Sequence, residues 1–358
     1  MRLPEPDDRV AGLGDERVVA FAPGRVNLIG EHTDYNGGLC LPFALERGVT
    51  VSARTIAGTQ ISVLTRDSGE EDAFEAARPQ PATGWRAYVR GVCAELAAAG
   101  AAAPAARVEI DSDLPAGVGL SSSAALEVAL ALALLALGGR PIPPVVELAR
   151  LCSRAENSWA GVQTGVLDQL ASLAGRRGAA VLIDCRSFTL EPVPLPLGGW
   201  TLATIDSGSR RQLAGSGYND RRAECRAAAE RLGVTSLSDA DPADLADLPE
   251  VLRRRARHVL GENDRVRRAV DALRARDPGR LAELINASHA SLRDRFEVST
   301  PAVEATVERA RAAGARGARL LGGGFGGSVL ALFPPGAELP AGAIEARPGD
   351  GAAVLGAS

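Results

Sequence analysis

The 358-residue chain contains no lysine; all 40 of its basic residues are arginine. A Walker A loop, the strand lysine of protein kinases and Schiff-base chemistry are therefore excluded. Histidine is scarce: His32, His258 and His289 are too few and too far apart for a histidine metal site. The five cysteines, Cys40, Cys93, Cys152, Cys185 and Cys225, are odd in number and form no CxxC pair. They read as small buried hydrophobes in a reducing compartment. The net charge of −4 gives no sign of nucleic acid or an anionic membrane as a partner. MRLPEPDDRV at the N-terminus lacks an apolar signal core, and the apolar stretch Leu126–Leu137 is interrupted by Glu127 and too short to span a bilayer. The expectation is a soluble, cytoplasmic monomer whose partners are small molecules.

Hydrophobic residues make up 46% of the chain and charged residues 23%, a globular balance. The length favours two domains. Val- and Ile-rich segments predict strands over 17–29, 48–55, 60–65, 107–111, 181–184, 200–205, 317–320 and 328–333. Helices are predicted over 85–96, 121–137, 145–160, 218–232, 249–273, 278–292 and 301–313. The helix over 121–137 is apolar all round and so buried. The segment EPVPLPLGG (191–199) is the expected boundary between two halves, 1–195 and 196–358, of an α+β protein.

Three loops stand out. APGRVNLIGEHTDYNGG (22–38) ends an apolar strand in a polar edge where Glu31, His32 and Asp34 crowd together. LPAGVGLSSSAA (114–125) places glycines and Ser121, Ser122 and Ser123 before a helix. A helix N-terminus has unpaired N–H groups and partial positive charge, so this arrangement can hold phosphate without lysine. An N-cap serine after an ordinary turn is the alternative. LLGGGFGGSV (320–329) has five glycines between Gly322 and Gly327 and reads as a site of close backbone approach or a flexible linker.

Two acids complete the pattern. Glu156 falls late in a helix and Asp168 precedes the apolar stretch LASLAG, where it could equally be an N-cap. Phosphoryl transfer to a sugar needs a carboxylate to accept the hydroxyl proton, a hard oxygen ligand for Mg²⁺ and a cation facing the transferred group. Arg25 is the candidate cation, or else part of a structural ion pair.

These motifs, with WRAYVRG at Trp85, AENSWAGVQTGVLDQ at Glu156, SGYNDRRAEC at Ser216, RRARHVLGEN at Arg254 and SHASLRDRFEVS at Ser288 in the same order, resemble the galactokinase family. That family lies within the kinase superfamily named for galactose, homoserine, mevalonate and phosphomevalonate (GHMP). The resemblance covers most of the chain. It implies a two-domain GHMP kinase: an N-terminal domain like ribosomal protein S5 domain 2, a ferredoxin-like C-terminal domain and an active site in the cleft between them. It further implies ATP as co-substrate, Mg²⁺ and phosphorylation of the 1-hydroxyl of D-galactose. N-acetylgalactosamine or arabinose is an alternative substrate, and a non-catalytic galactose sensor is a further alternative.

By the same resemblance, Asp168 and Arg25 are catalytic, while Glu31, His32, Asp34 and Tyr218 bind the sugar. Gly117, Val118, Gly119, Leu120, Ser121, Ser122 and Ser123 wrap the phosphates, with Trp85 near the adenine. Ser123 and Glu156 hold the metal. Arg211 stands where many members carry His, and Leu321 where a Thr often precedes the glycines, departures that bear on substrate preference.

Overall fold

The computed structural model describes residues 17–115, 119–161, 164–209 and 215–357. The N-terminal half begins with strands β1 (Arg17–Asn27), β2 (Leu39–Cys40), β3 (Pro42–Thr55), β4 (Gln60–Thr65) and β5 (Glu71–Glu75), then helix α1 (Trp85–Ala98) and strand β6 (Ala106–Ser112). Helices α2 (Ser122–Leu137), α3 (Val145–Ala155) and α4 (Leu167–Ala174) follow, then strands β7 (Ala179–Asp184) and β8 (Thr189–Pro194). The second half comprises β9 (Thr201–Asp206), helices α5 (Gly215–Leu232), α6 (Glu250–Arg274), α7 (Pro278–Ser291) and α8 (Pro301–Ala312), and strands β10 (Gly317–Leu320), β11 (Ser328–Phe333), β12 (Ala343–Glu345) and β13 (Ala353–Ala357).

Three sheets result, with orders β13-β1-β3-β6-β4-β5, β10-β11-β9-β12 and β2-β7-β8. All pairings are antiparallel except β4 with β6. Helix α2 is buried from Ala124 to Leu135 because it is enclosed on every side. It packs on β1 and β3 and against α1, α3 and α4. Each of its fully buried leucines stabilises the fold by about 2 kcal/mol. A second apolar core gathers β9, β10 and β11 under α5, α6 and α8, with Phe296, Val303 and Phe333 fully buried.

Several expectations change. The strand expected over 48–55 begins at Pro42, and the one expected over 17–29 ends at Asn27. The helix expected over 145–160 ends at Ala155 and continues as a single π turn, Glu156–Ala160. The expected boundary EPVPLPLGG is partly strand, since Glu191–Pro194 lies in β8. β8 occupies the edge of its sheet, where the missing proline N–H groups leave no pair unmade. The expected C-terminal half 196–358 is not separate to its end either: β13 pairs with β1 and completes the first sheet. Strands β2, β5, β8, β12 and β13 are short or polar and carry too little apolar alternation to be recognised alone. All five cysteines are free and buried. Among the described residues no helix is long and apolar enough to cross a membrane.

Candidate active site

The cleft that forms between the halves begins with an irregularity in β1. The β1–β3 register shifts between Pro23 and Arg25. Gly24 sits in the shift, where an added Cβ would lie 2.6 Å from the Leu120 carbonyl oxygen. That closeness lets the Arg25 N–H donate to the Leu120 oxygen at 3.1 Å and docks the second loop onto the strand. Such bulges commonly re-aim a side chain, and here the side chain is Arg25. Its Nε and Nη2 donate to Asp168 Oδ1 and Oδ2, both at 2.8 Å, and Nη1 donates to the Gly119 oxygen at 3.0 Å. Ser121 Oγ also donates to Asp168 Oδ2, at 2.6 Å. Burial works against the Arg25 charge, but Asp168 and then Glu31 outweigh it, so the guanidinium pKa is raised. A forked pair of this kind fixes both partners in angle as well as distance.

Asp168 lies in the first turn of α4 and is not its N-cap, which is Val166. The ion pair foreseen as an alternative role for Arg25 is present, and it lies in the cleft itself. That cleft has about 690 Å³ of empty space open to solvent, and both Arg25 and Asp168 line it. Glu31, His32, Asp34 and Tyr218 line it as well, so six of the residues expected to act together do converge. Thr164, Gly165, Leu167 and Gly322–Phe325 complete the lining.

The signature loop after β1 is held from the other half. Arg319 on β10 is fully buried and donates to the Leu28 carbonyl and to Glu31 Oε1, each at 3.0 Å, and to the Asn27 carbonyl. The Gly322 N–H donates to the same Glu31 oxygen at 2.7 Å. Burial raises the Glu31 pKa, but Arg319, Arg25 and the Gly322 N–H overcome it and leave the pKa lowered. From α6, Glu262 accepts the Gly30 N–H at 3.0 Å and Asn263 Oδ1 accepts the Leu39 N–H at 2.9 Å. Burial opposes ionisation of Glu262, yet Arg265 and its other partners lower the pKa to about 2.

His32 adopts a left-handed backbone, φ +63°, a conformation that non-glycine residues hold only when their surroundings impose it. Its Nδ1 is 2.8 Å from the Tyr35 hydroxyl, while Nε2 is buried with no hydrogen-bond partner among the described residues. Burial, then His258, lowers its pKa to about 3, so the ring is neutral. Burial and then Asp168 push Asp34 up to about 6. Gly165 permits Asp34 to sit there, because a Cβ on it would come within 1.9 Å of Asp34 Oδ2. Gly323 likewise leaves room for the Tyr218 ring, 2.8 Å from where its Cβ would be. Close approach, not flexibility, accounts for the third loop.

Gly117, Val118 and the divergent Arg211 lie outside the described residues. Gly119 and Leu120 present carbonyls to Arg25, and the Leu120 side chain is buried in the core. The Ser121 hydroxyl is engaged with Asp168, which leaves the backbone of the loop as the part free to meet phosphate. Ser121 occupies the N-cap position of α2 at φ +57° and its side chain makes no capping bond. Ser122 is exposed there. Trp85 starts α1, donates Nε1–H to Glu70 at 2.7 Å and stacks on Arg86; it does not line the cleft. Leu321 is buried in the core.

Ser123 Oγ donates to Glu156 Oε1 at 3.1 Å. Thr164 Oγ1 and Gln169 Nε2 donate to Glu156 Oε2 at 2.6 and 3.1 Å, and Gln169 Nε2 also reaches Glu127 at 2.9 Å. Burial raises the Glu156 pKa despite these donors. Gln169, Glu127, Arg319 and Gly165 were not singled out in the sequence as site residues. The DQ pair at 168–169 and the acid within an apolar helix at 127 were the available signals.

The carboxylate locked by arginine and the polar cleft between two α+β halves define a small-molecule kinase of the GHMP type. Models of the GHMP kinase N-terminal and C-terminal domains match residues 87–176 and 269–343, and the galactokinase galactose-binding signature matches residues 11–55. The chain is 41% identical to a galactokinase of Glaesserella parasuis serovar 5 (strain SH0165), with 90% of this chain and 86% of that one covered. It is 44% identical to one of Roseiflexus sp. (strain RS-1), covering 88% and 83%. The crystal structure of Lactococcus lactis galactokinase complexed with galactose superposes with a TM-score of 0.87 at 32% identity, over 95% of both chains. The chain belongs to the galactokinase family.

Proposed function

We propose that the cleft transfers the γ-phosphoryl group of ATP to the 1-hydroxyl of D-galactose, giving galactose 1-phosphate and ADP. The observation that carries this reading is the Arg25–Asp168–Ser121 cluster in a cleft that it shares with Glu31, His32 and Asp34. Asp168 holds the sugar hydroxyl and accepts its proton as the oxygen bonds to phosphorus and the bridge to ADP breaks. Arg25 fixes Asp168 and faces the charge spreading over the phosphoryl oxygens. Glu31, the neutral His32 through its unpartnered Nε2, Asp34 and Tyr218 receive the sugar hydroxyls. Polar partners of this kind discriminate between epimers because the wrong one leaves a buried group unpaired.

The residues fit Mg²⁺ carried by the nucleotide. Glu156 is a buried carboxylate with hydroxyl and amide donors but no cation hydrogen-bonded to it among the described residues. No group of three or more His, Cys, Asp or Glu side chains is placed among them so as to hold a metal ion, so phosphate oxygens would have to complete the coordination shell. Ser123 and Glu156 would hold the ion, and its contribution would be to neutralise phosphate charge. A panel of galactose, N-acetylgalactosamine and arabinose, read by ADP release, tests the assignment. Turnover of another sugar with none of galactose would overturn the substrate, and binding without turnover of any sugar would favour a sensor.

A further inference from the structure

The outer face of the six-stranded sheet carries a feature that catalysis in the cleft does not use. Arg17 on β1 lies directly opposite Arg54 on β3, and Arg54 lies directly opposite Arg107 on β6. Directly opposed residues project from the same face, so three guanidinium groups stand in one row across three adjacent strands. Neighbouring strands are about 4.8 Å apart, which confines the row to roughly 10 Å. Like charges so placed repel one another.

Arg66, just beyond β4, joins the row around a basin of about 590 Å³ that also includes Ser52 and Glu109. Glu109 is the single acid in that lining among the described residues and is shared between Arg66 and Arg107, at 2.5 and 4.0 Å. The hydrogen bond from Arg66, followed by the charges of Arg66, Arg107 and Arg17, lowers its pKa. Arg17 donates to the Ser52 hydroxyl at 3.0 Å, and Arg54 makes no ion pair among the described residues. Among the described residues, four arginines face one glutamate in this basin, on a protein whose net charge is −4. None of these residues lines the cleft.

We propose that this basin is a binding site for a phosphate-bearing anion, separate from the catalytic cleft. Guanidinium forks match the paired oxygens of phosphate, and a compact dianion or trianion is what relieves several like charges converging on one point. The phosphate group could come from free phosphate, pyrophosphate or a sugar phosphate.

Calorimetric titration of the full-length protein separates these sources, with pyrophosphate, inorganic phosphate and galactose 1-phosphate as probes on wild type and on R54S/R107S. Both substituted residues are exposed and outside the cleft, so kcat and the sugar KM should stay within about twofold. For at least one probe, the wild type should show a site whose Kd rises tenfold or more in the variant. The probe with the largest difference identifies the source. Pyrophosphate should also raise the melting temperature of wild type more than that of R54S/R107S or of the milder R54Q, because an anion bound only to the folded state stabilises it. Identical titrations of wild type and R54S/R107S with all three probes would overturn the site.

Discussion

Asp168 and Glu156 lie close in sequence and belong to the same wall of the protein, yet their surroundings are opposite. Asp168 is gripped by a bidentate arginine and a serine hydroxyl. Among the described residues, Glu156 receives only neutral donors, Ser123, Thr164 and Gln169. A carboxylate held by a bidentate cation is fixed in angle and position, as a group at the reacting centre must be. One without a cation carries an electrostatic deficit that a metal ion can fill. The comparison teaches that identity of side chain says little about role until the counter-charge is known.

The sharpest break of this comparison is Asp168→Ala. It should lower kcat by about 10³-fold or more while sugar and nucleotide still bind, measured by ADP release and calorimetry. An active variant would remove Asp168 from the chemistry. Arg25→Ala should follow, with kcat down about 10²–10³-fold and a smaller change in KM. A change confined to KM would contradict its role at the transferred group.

Gln169→Ala probes the other carboxylate. By freeing Glu156, it should raise the Mg²⁺ concentration needed for half-maximal rate about tenfold with galactose KM little changed. An unaltered Mg²⁺ dependence would separate Gln169 from the metal.

The smallest effect concerns Asp34, whose pKa of about 6 reflects burial and the nearby Asp168, with Glu31 adding repulsion and Arg222 opposing it. As pH falls through about 6 Asp34 becomes protonated and loses acceptor capacity, so galactose KM should rise by up to about tenfold per unit. Asp34→Asn should flatten that rise. A carboxylate whose folded pKa lies above its unfolded value costs stability as pH rises between the two. Asp34→Asn should therefore stabilise the protein at pH 7 by about 1–3 kcal/mol in denaturant unfolding, with no gain near pH 4. A pH-independent gain would point to packing instead.

Much of the fold was legible where the signal is local. Helix α2 could be read because Ala and Leu fill every face, and β10 and β11 because their apolar runs are bounded by glycine. Strand β13 could not be read, because the short segment Ala353–Ala357 becomes a strand only when β1 offers its edge. The site divides in the same way. Glu31, His32 and Asp34 announce themselves by crowding, whereas Arg319 looks like any arginine in GARGARL. Its importance comes from full burial against Asn27, Leu28 and Glu31.

By itself, the sequence determined the membership in a family, the absence of any lysine mechanism and the positions where backbone must come close. Glycine and helix-end requirements are set by a few adjacent residues and survive in any context. Tertiary structure alone decided that Arg25 forks onto Asp168 across 143 residues, that the Ser121 hydroxyl donates to that acid, and that Glu156 has no cation hydrogen-bonded to it among the described residues. Those outcomes depend on counter-charges and strand registers supplied by distant parts of the chain, and electrostatic energy is decided by such neighbours in space.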